Sequence, residues 1–477
     1  MWCAVVVLVG AVVSVVAQSP YYEVPEALIQ PLKPKGLRIS IPDEPGVELF
    51  AIHVNVNKPM GNREAGQINQ EIRKAKNGRW VVEDPRVRLK RGDKLNYWLY
   101  VQADGLGYPK DDLTYTVTEF YDPAAPIEQH EPQVTERVQS CLPTVTTVNG
   151  GPSCEGKLVF EDLFDNFNST TWQRVVQFGT QPDFEFVVYT DDQKNSYVAD
   201  GKLHIRPTLL ADDGKNIESD FYTLNGCTST QRDDCSKTGQ GWNILPPVKS
   251  AQLRTRQSFS FRYGRVEVQA KLPSGDWIFP EIWLEPKNNK YGTNLFESGL
   301  IQMALVRANR NLMKDKKDLG ARHLEVACVI SSGKTVHSET FSMDSNAFWS
   351  DNFHIYSVTW TPDDITFTVD GRDIGRVTPP AGGFSKLSQF SRFQNIPWSQ
   401  GSKMAPFDEE FYITIGLGVG GFRVFPDDSV SNNRAKPWKD STTKALVNFW
   451  QNKDNWYPSW SGDGSTLQVQ HVKVWAL

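Results

Sequence analysis

Apolar and polar residues alternate in short runs at Gly36–Pro42, Val47–Val56, Gly78–Val82, Lys94–Val101 and Thr114–Thr118, and each run soon ends in turn-forming residues. The pattern returns at Ser258–Pro273, Phe353–Asp363, Phe367–Gly371, Pro406–Ile415 and Leu467–Trp475. A period of two buries one face of a strand, so a chain that repeats it this often must stack or roll antiparallel sheets rather than bundle helices. Fifteen Trp, 15 Tyr and 25 Phe, with 35 Gly and 29 Pro, suit short strands joined by many turns. The expected class is all-β. A length of 477 residues exceeds one typical domain and predicts two. The first is a β-sandwich over residues 18–120. Residues 121–140, rich in Pro, Glu and Gln without apolar periodicity, read as an extended linker, and residues 141–477 form the larger unit.

A net charge of −5, with no long Lys/Arg block, argues against nucleic-acid binding and favours uncharged partners. The mixed-sign run Lys314–Asp318 reads as a solvated loop. Residues 1–17 are apolar and end in Val15, Val16 and Ala17, the small-residue pattern of a cleaved secretory signal, too short for a persuasive membrane span. No later segment reads as a transmembrane anchor, so a secreted, extracellular protein is expected. Removal of Cys3 then leaves Cys141, Cys154, Cys227, Cys235 and Cys328, an odd number in an oxidising compartment. Cys328 lies in the apolar strand pattern His323–Ile330 and is expected to be a buried free thiol. No metal-ligand spacing occurs, and no cofactor is implied. Asn168-Ser169-Thr170 is a glycosylation sequon.

Arg254 and Arg256, the run Ser258–Pro273 and the Trp-rich segment Gly275–Pro286 lead into Ser298–Leu305. Here the sequence resembles the family 16 glycoside hydrolases of the β-1,3-glucanase branch, whose catalytic strand has the form S-G-E-I-D-I-M-E. Laid on that strand, its three acids fall on Leu300, Gln302 and Leu305. Retaining hydrolysis needs two carboxyl groups about 5 to 5.5 Å apart, one as nucleophile and one as acid. Alternation puts positions 300 and 302 on one face, and a one-residue bulge would return 305 to it. Leucine can neither attack an anomeric carbon nor donate a proton, and Gln302 does not titrate. The resemblance therefore implies a concanavalin-like jelly roll that is a pseudoenzyme without catalytic residues. An active glucanase would need replacements such as Glu281 and Glu285, which alternate about Trp283, but the bulk of Trp283 argues against a shared proton. Glu297 reads likewise as a rim carboxylate. Arg256, Trp277 and Trp283 are candidate saccharide contacts in the cleft.

Pro34–Asp43, Lys74–Trp80, Tyr97–Tyr100 and Asp104–Tyr108, four motifs in order, resemble the family 39 carbohydrate-binding module. That module heads the insect β-1,3-glucan recognition proteins, also called Gram-negative-bacteria-binding proteins. The resemblance implies an immunoglobulin-like sandwich binding laminarin- or curdlan-type β-1,3-glucan, in haemolymph, upstream of serine-protease zymogens of the prophenoloxidase and Toll cascades. It carries onto Trp98 and Tyr100 as stacking rings and onto Glu71 and Asp104 as polar partners. Two departures stand out: Glu71 replaces a usual Asp, and Pro109 a usual Arg, with Lys110 one step late. They leave bacterial surface polymers open as another ligand. Cys141 with Cys154 and Cys227 with Cys235 are the expected disulfides, because each pair closes a short loop and falls where the family has one.

Overall fold

The computed structural model describes Tyr22, residues 24–61, 63–123, 142–390, Phe393 and residues 395–477. The predicted signal segment, Cys141 and residues 124–140 of the expected linker lie outside the described residues. The chain divides into two compact units between Val138 and Gln139. Among the described residues no helix is long and apolar enough to cross a membrane.

The first unit has seven strands: β1 Leu28–Pro31, β2 Leu37–Pro42, β3 Val47–Val56, β4 Ile68–Ile72, β5 Arg79–Asp84, β6 Lys94–Ala103 and β7 Leu106–Thr116. They pair as a three-stranded sheet β1-β2-β5 and a four-stranded sheet β4-β3-β6-β7. Ile39 and Ile41 of the first sheet and Phe50, Ile52, Val54, Leu95, Leu99 and Val101 of the second share one buried cluster, which is the filling of the sandwich. Strict alternation in β6 turns Leu95, Tyr97, Leu99 and Val101 inward and leaves Asn96, Trp98, Tyr100 and Gln102 on the outer face. Two strands escaped the sequence pattern. β1 is short, and β4 reads Ile-Asn-Gln-Glu-Ile, too polar to stand out. β7 begins well before Thr114 and contains Pro109, which an edge strand tolerates because the missing N–H faces no partner. The expected linker starts later than its composition suggested. Tyr121 exchanges backbone hydrogen bonds with Pro31 and Lys33 at 2.8 Å each, and Arg38 reaches the carbonyl of Pro123 at 2.9 Å.

The second unit is a jelly roll of two large sheets. One contains Gly264–Lys271, His354–Trp360, Ile365–Val369, Arg372–Val377 and Leu467–Trp475. The other contains Ile278–Pro286, Leu300–Val306, His323–Ser332, Thr335–Asp344 and Phe411–Val419, with Gln252–Arg254 paired to the last. Ile282, Leu284, Ile301, Ile413 and Ile415 point between the sheets into the main core. Trp283, Leu300, Ala327 and Val329 pack on the opposite side of the same sheet with Phe296.

Candidate functional site

On the outer face of the four-stranded sheet, register builds two adjacent rows. Glu71, Ala51, Tyr100 and Pro109 face each other across β4, β3, β6 and β7; Asn69, His53 and Trp98 form the next row. The imidazole of His53 stacks flat on Trp98, with ring centroids 3.9 Å apart and planes 3° from parallel. The Trp98 indole N–H donates to the carbonyl of Glu64 at 2.8 Å, so the ring is held at both its face and its edge. Beside Tyr100 the neighbouring strand carries Gly107, where a Cβ would come within 2.3 Å of the phenol oxygen. Tyr100 therefore lies down over β7 instead of standing away from the sheet. Glu71 is exposed, 3.5 Å from the Arg73 guanidinium.

Asp104 occupies the tight turn between β6 and β7 in a left-handed conformation (φ 51°), its carboxylate against Gly46. Lys110 does not join this face. It follows outward-facing Pro109 by one position, so alternation sends it to the other side, where its ammonium donates to Glu26 at 2.6 Å and to the Val24 carbonyl at 3.1 Å. The cation that does flank the rings is Arg63, from the loop between β3 and β4. Its guanidinium grips Asp111, with Nη2 to Oδ2 at 2.8 Å and Nε to both oxygens at 3.1 Å. His53, Arg63 and Asp111 were absent from the sequence reading. Parity could have found His53, because positions 51 and 53 pair with 100 and 98; Arg63 lies in a loop and gave no such signal.

In the second unit, the strand Leu300–Val306 is bulged against its neighbour between Gln302 and Leu305. The bulge sets Leu305 opposite Glu325 and Gln302 opposite Ala327, so all three positions corresponding to the acids share the cleft side of the sheet. None bears a carboxylate, and each is buried. Nearby acids are committed elsewhere. Burial tends to raise the Glu325 carboxyl, but His323 and Arg307 outweigh it and hold it down at about 2. Glu281 is 0 % exposed; Tyr189 donates to one of its oxygens at 2.6 Å and Gln252 to the other at 2.8 Å. Glu185 is buried beside it; burial first, then the charges of Glu281 and Asp183, pushes the Glu185 carboxyl above the usual range, and burial, with Asp183 and Glu285, does the same for Glu281. Glu297 accepts from the backbone and side chain of Asn294 at 3.2 Å and closes its own loop.

A cleft of about 300 Å³ remains, lined by Arg254, Arg256, Trp283, Glu285, Leu300 and Tyr412 among others. Glu285 accepts a hydrogen bond from Thr414 and lies 3.9 Å from Arg254. The Arg256 guanidinium is anchored on the Lys287 carbonyl at 3.1 and 3.2 Å. Arg256 and Trp283 thus reach the cleft, whereas Trp277 does not. It is 3 % exposed and packs edge-on against Phe425 and Trp438 at 5.3 and 5.2 Å. Its backbone is left-handed (φ 67°), just before the strand Ile278–Pro286 begins.

Cys227 and Cys235 form the expected disulfide. Between them, Ser229 donates to Asp234 at 2.7 Å; these two residues line the cleft, while Asp233 lines a separate groove. Cys154 is disulfide-bonded, and its expected partner Cys141 lies outside the described residues. Cys328 is a buried free thiol. Asn168 is exposed, and its side-chain oxygen accepts from Thr170 in a tight turn.

Full-length relatives decide the family. The chain is 38% identical to beta-1,3-glucan-binding protein 1 of Galleria mellonella, covering 96% of each chain. The chain belongs to the β-1,3-glucan-binding protein family. It is also 38% identical to the beta-1,3-glucan-binding protein of Tenebrio molitor over 96% of each chain. Gram-negative bacteria-binding protein 3 of Drosophila melanogaster is 34% identical, with 96% of this chain and 95% of that one covered. A family model described as carbohydrate binding domain (family 32), CBM39, matches residues 23–139, and one for glycosyl hydrolases family 16 matches residues 322–395. The second match begins after Leu305, on the strands that follow Leu300–Val306.

Proposed function

We propose that this protein is a secreted recognition molecule that binds microbial β-1,3-glucan on the outer face of its N-terminal sandwich, without hydrolysing it, and so triggers serine-protease zymogens. The observation that carries the reading is the pair of rows joining Glu71 and Tyr100 to the His53–Trp98 stack. Flat rings suit the apolar C–H faces of pyranose units, and flanking carboxylates and the Arg63–Asp111 pair offer partners for hydroxyls. Because Trp98 is clamped before any ligand arrives, little side-chain entropy is lost on binding. In the second unit no pair of free carboxyl groups stands at the positions resembling catalytic acids, which supports binding without cleavage. The relatives' names support the same ligand.

Cosedimentation of the full chain with curdlan tests the site. Trp98→Ala should weaken retention by about 2 kcal/mol, roughly 30-fold. Equal pelleting of variant and wild type would reject this face. Incubation with laminarin should release no reducing ends; release that disappears in Glu285→Gln would make the protein a hydrolase instead.

A further inference from the structure

Most tryptophans of the second unit are buried or half-buried, but Trp242 is 59 % exposed, and among the described residues it is the only exposed Trp. It stands at the tip of a turn that is firmly built. Gln240 and Asn243 exchange both backbone hydrogen bonds, at 2.9 and 3.0 Å, and Gly241 supplies the left-handed position (φ 60°). Gly239 just before it is pressed so close to the backbone that a Cβ would lie 2.4 Å from the Ile217 carbonyl. Ile244 and Leu245 just after it are buried with Leu210 and Ile217. An indole held out on a pinned turn keeps much of its apolar area in water.

Trp242 borders a groove of about 750 Å³, within the range of about 300–1,000 Å³ usual for ligand sites. Ser236–Thr238 and the turn Gln240–Asn243 line it, together with Asp233 of the disulfide loop. Phe221, the cross-strand partner of groove-lining Thr238, is 64 % exposed. The lining is polar. Among the described residues the side-chain amides of Gln240 and Asn243 and the hydroxyl of Thr238 make no hydrogen bond within the protein. Lys237 is partly occupied, its ammonium 5.1 Å over the Phe178 ring and near Asp233. One exposed flat ring beside the amides of Gln240 and Asn243 and the hydroxyl of Thr238 matches a polyhydroxylated chain better than an apolar ligand.

We propose that this groove is a second saccharide site, in which Trp242 stacks on a pyranose ring and Gln240 and Asn243 hydrogen-bond its hydroxyls. The site lies outside the cleft, and it makes the chain bivalent for a long glycan. The choice of β-1,3-glucan as its ligand rests on the function proposed above. Two sites on one chain raise retention on a polymer well beyond that of either alone.

The test uses the full chain with a soluble six-unit laminari-oligosaccharide and with curdlan particles. Trp242→Ala should lower retention on curdlan about tenfold with an unchanged melting temperature, since an exposed ring contributes little to folding. Trp242→Phe should restore most of it. In a Trp98→Ala background, residual oligosaccharide binding should persist and vanish when Trp242→Ala is added. Retention by Trp242→Ala equal to wild type, or residual binding that ignores Trp242, would overturn the second site. If Trp98→Ala instead changes nothing while Trp242→Ala abolishes binding, the groove is the glycan site and the sandwich face is not.

Discussion

The buried pair Glu185 and Glu281 shows how single carboxyl groups of the second unit serve its structure. Burial pushes both carboxyls upward, Glu281 to about 7, so the folded pair binds a proton more tightly than free carboxylates do. The unfolded chain ionises in the ordinary range near 4.3, so wild type gains nothing from the shift at low pH and loses stability as pH rises from there through the raised value. Glu185→Gln removes that titration and keeps a donor toward Glu281. It should match wild type in melting temperature near pH 4 and exceed it at pH 8; a difference that does not grow with pH would mean the proton is absent. Sequence pattern placed Trp98 and Tyr100 correctly on one face because a period of two leaves no freedom. The same parity put Lys110 behind Pro109 on the wrong side, which motif matching by position alone does not see. The burial of Trp277 among Phe425 and Trp438 had no sequence signal, because those residues are far apart in the chain.

At the scale of elements, the strand Leu300–Val306 keeps the bulge that a catalytic strand would need, yet its surroundings have closed around leucine. Leu300 is packed by Trp283, Phe296, Ala327 and Val329. Restoring a carboxylate there by Leu300→Glu should cost about 3 kcal/mol or more of stability, because the charge would enter an apolar cluster without a partner. It should yield no laminarin hydrolysis; calorimetry and a reducing-end assay check the two halves of that expectation. The bulge was legible from the spacing of positions 302 and 305. β4 was not, since a strand of Asn, Gln and Glu between two isoleucines gives almost no hydrophobic contrast.

For the whole molecule, two separate hydrophobic clusters mean that each unit carries its own core. Leu99→Ala, at a fully buried position of the sandwich, should destabilise the first unit by about 2–5 kcal/mol and lower its transition in differential scanning calorimetry. The transition of the jelly roll should stay in place; a shift of both would show one cooperative block. Two all-β units were legible because turn residues punctuate the whole chain. Where the linker begins was not, as Tyr121 is fixed by backbone hydrogen bonds that no composition reveals.

The loop tied by Cys227 and Cys235 presents Asp233 to the groove of Trp242 and Ser229 with Asp234 to the old cleft. It is a party wall between two rooms. Whatever leans on it from one side alters the space on the other, and by thermodynamic reciprocity the influence runs equally both ways. A ligand that shifted this loop from the cleft would in the same measure change the affinity of any ligand in the groove.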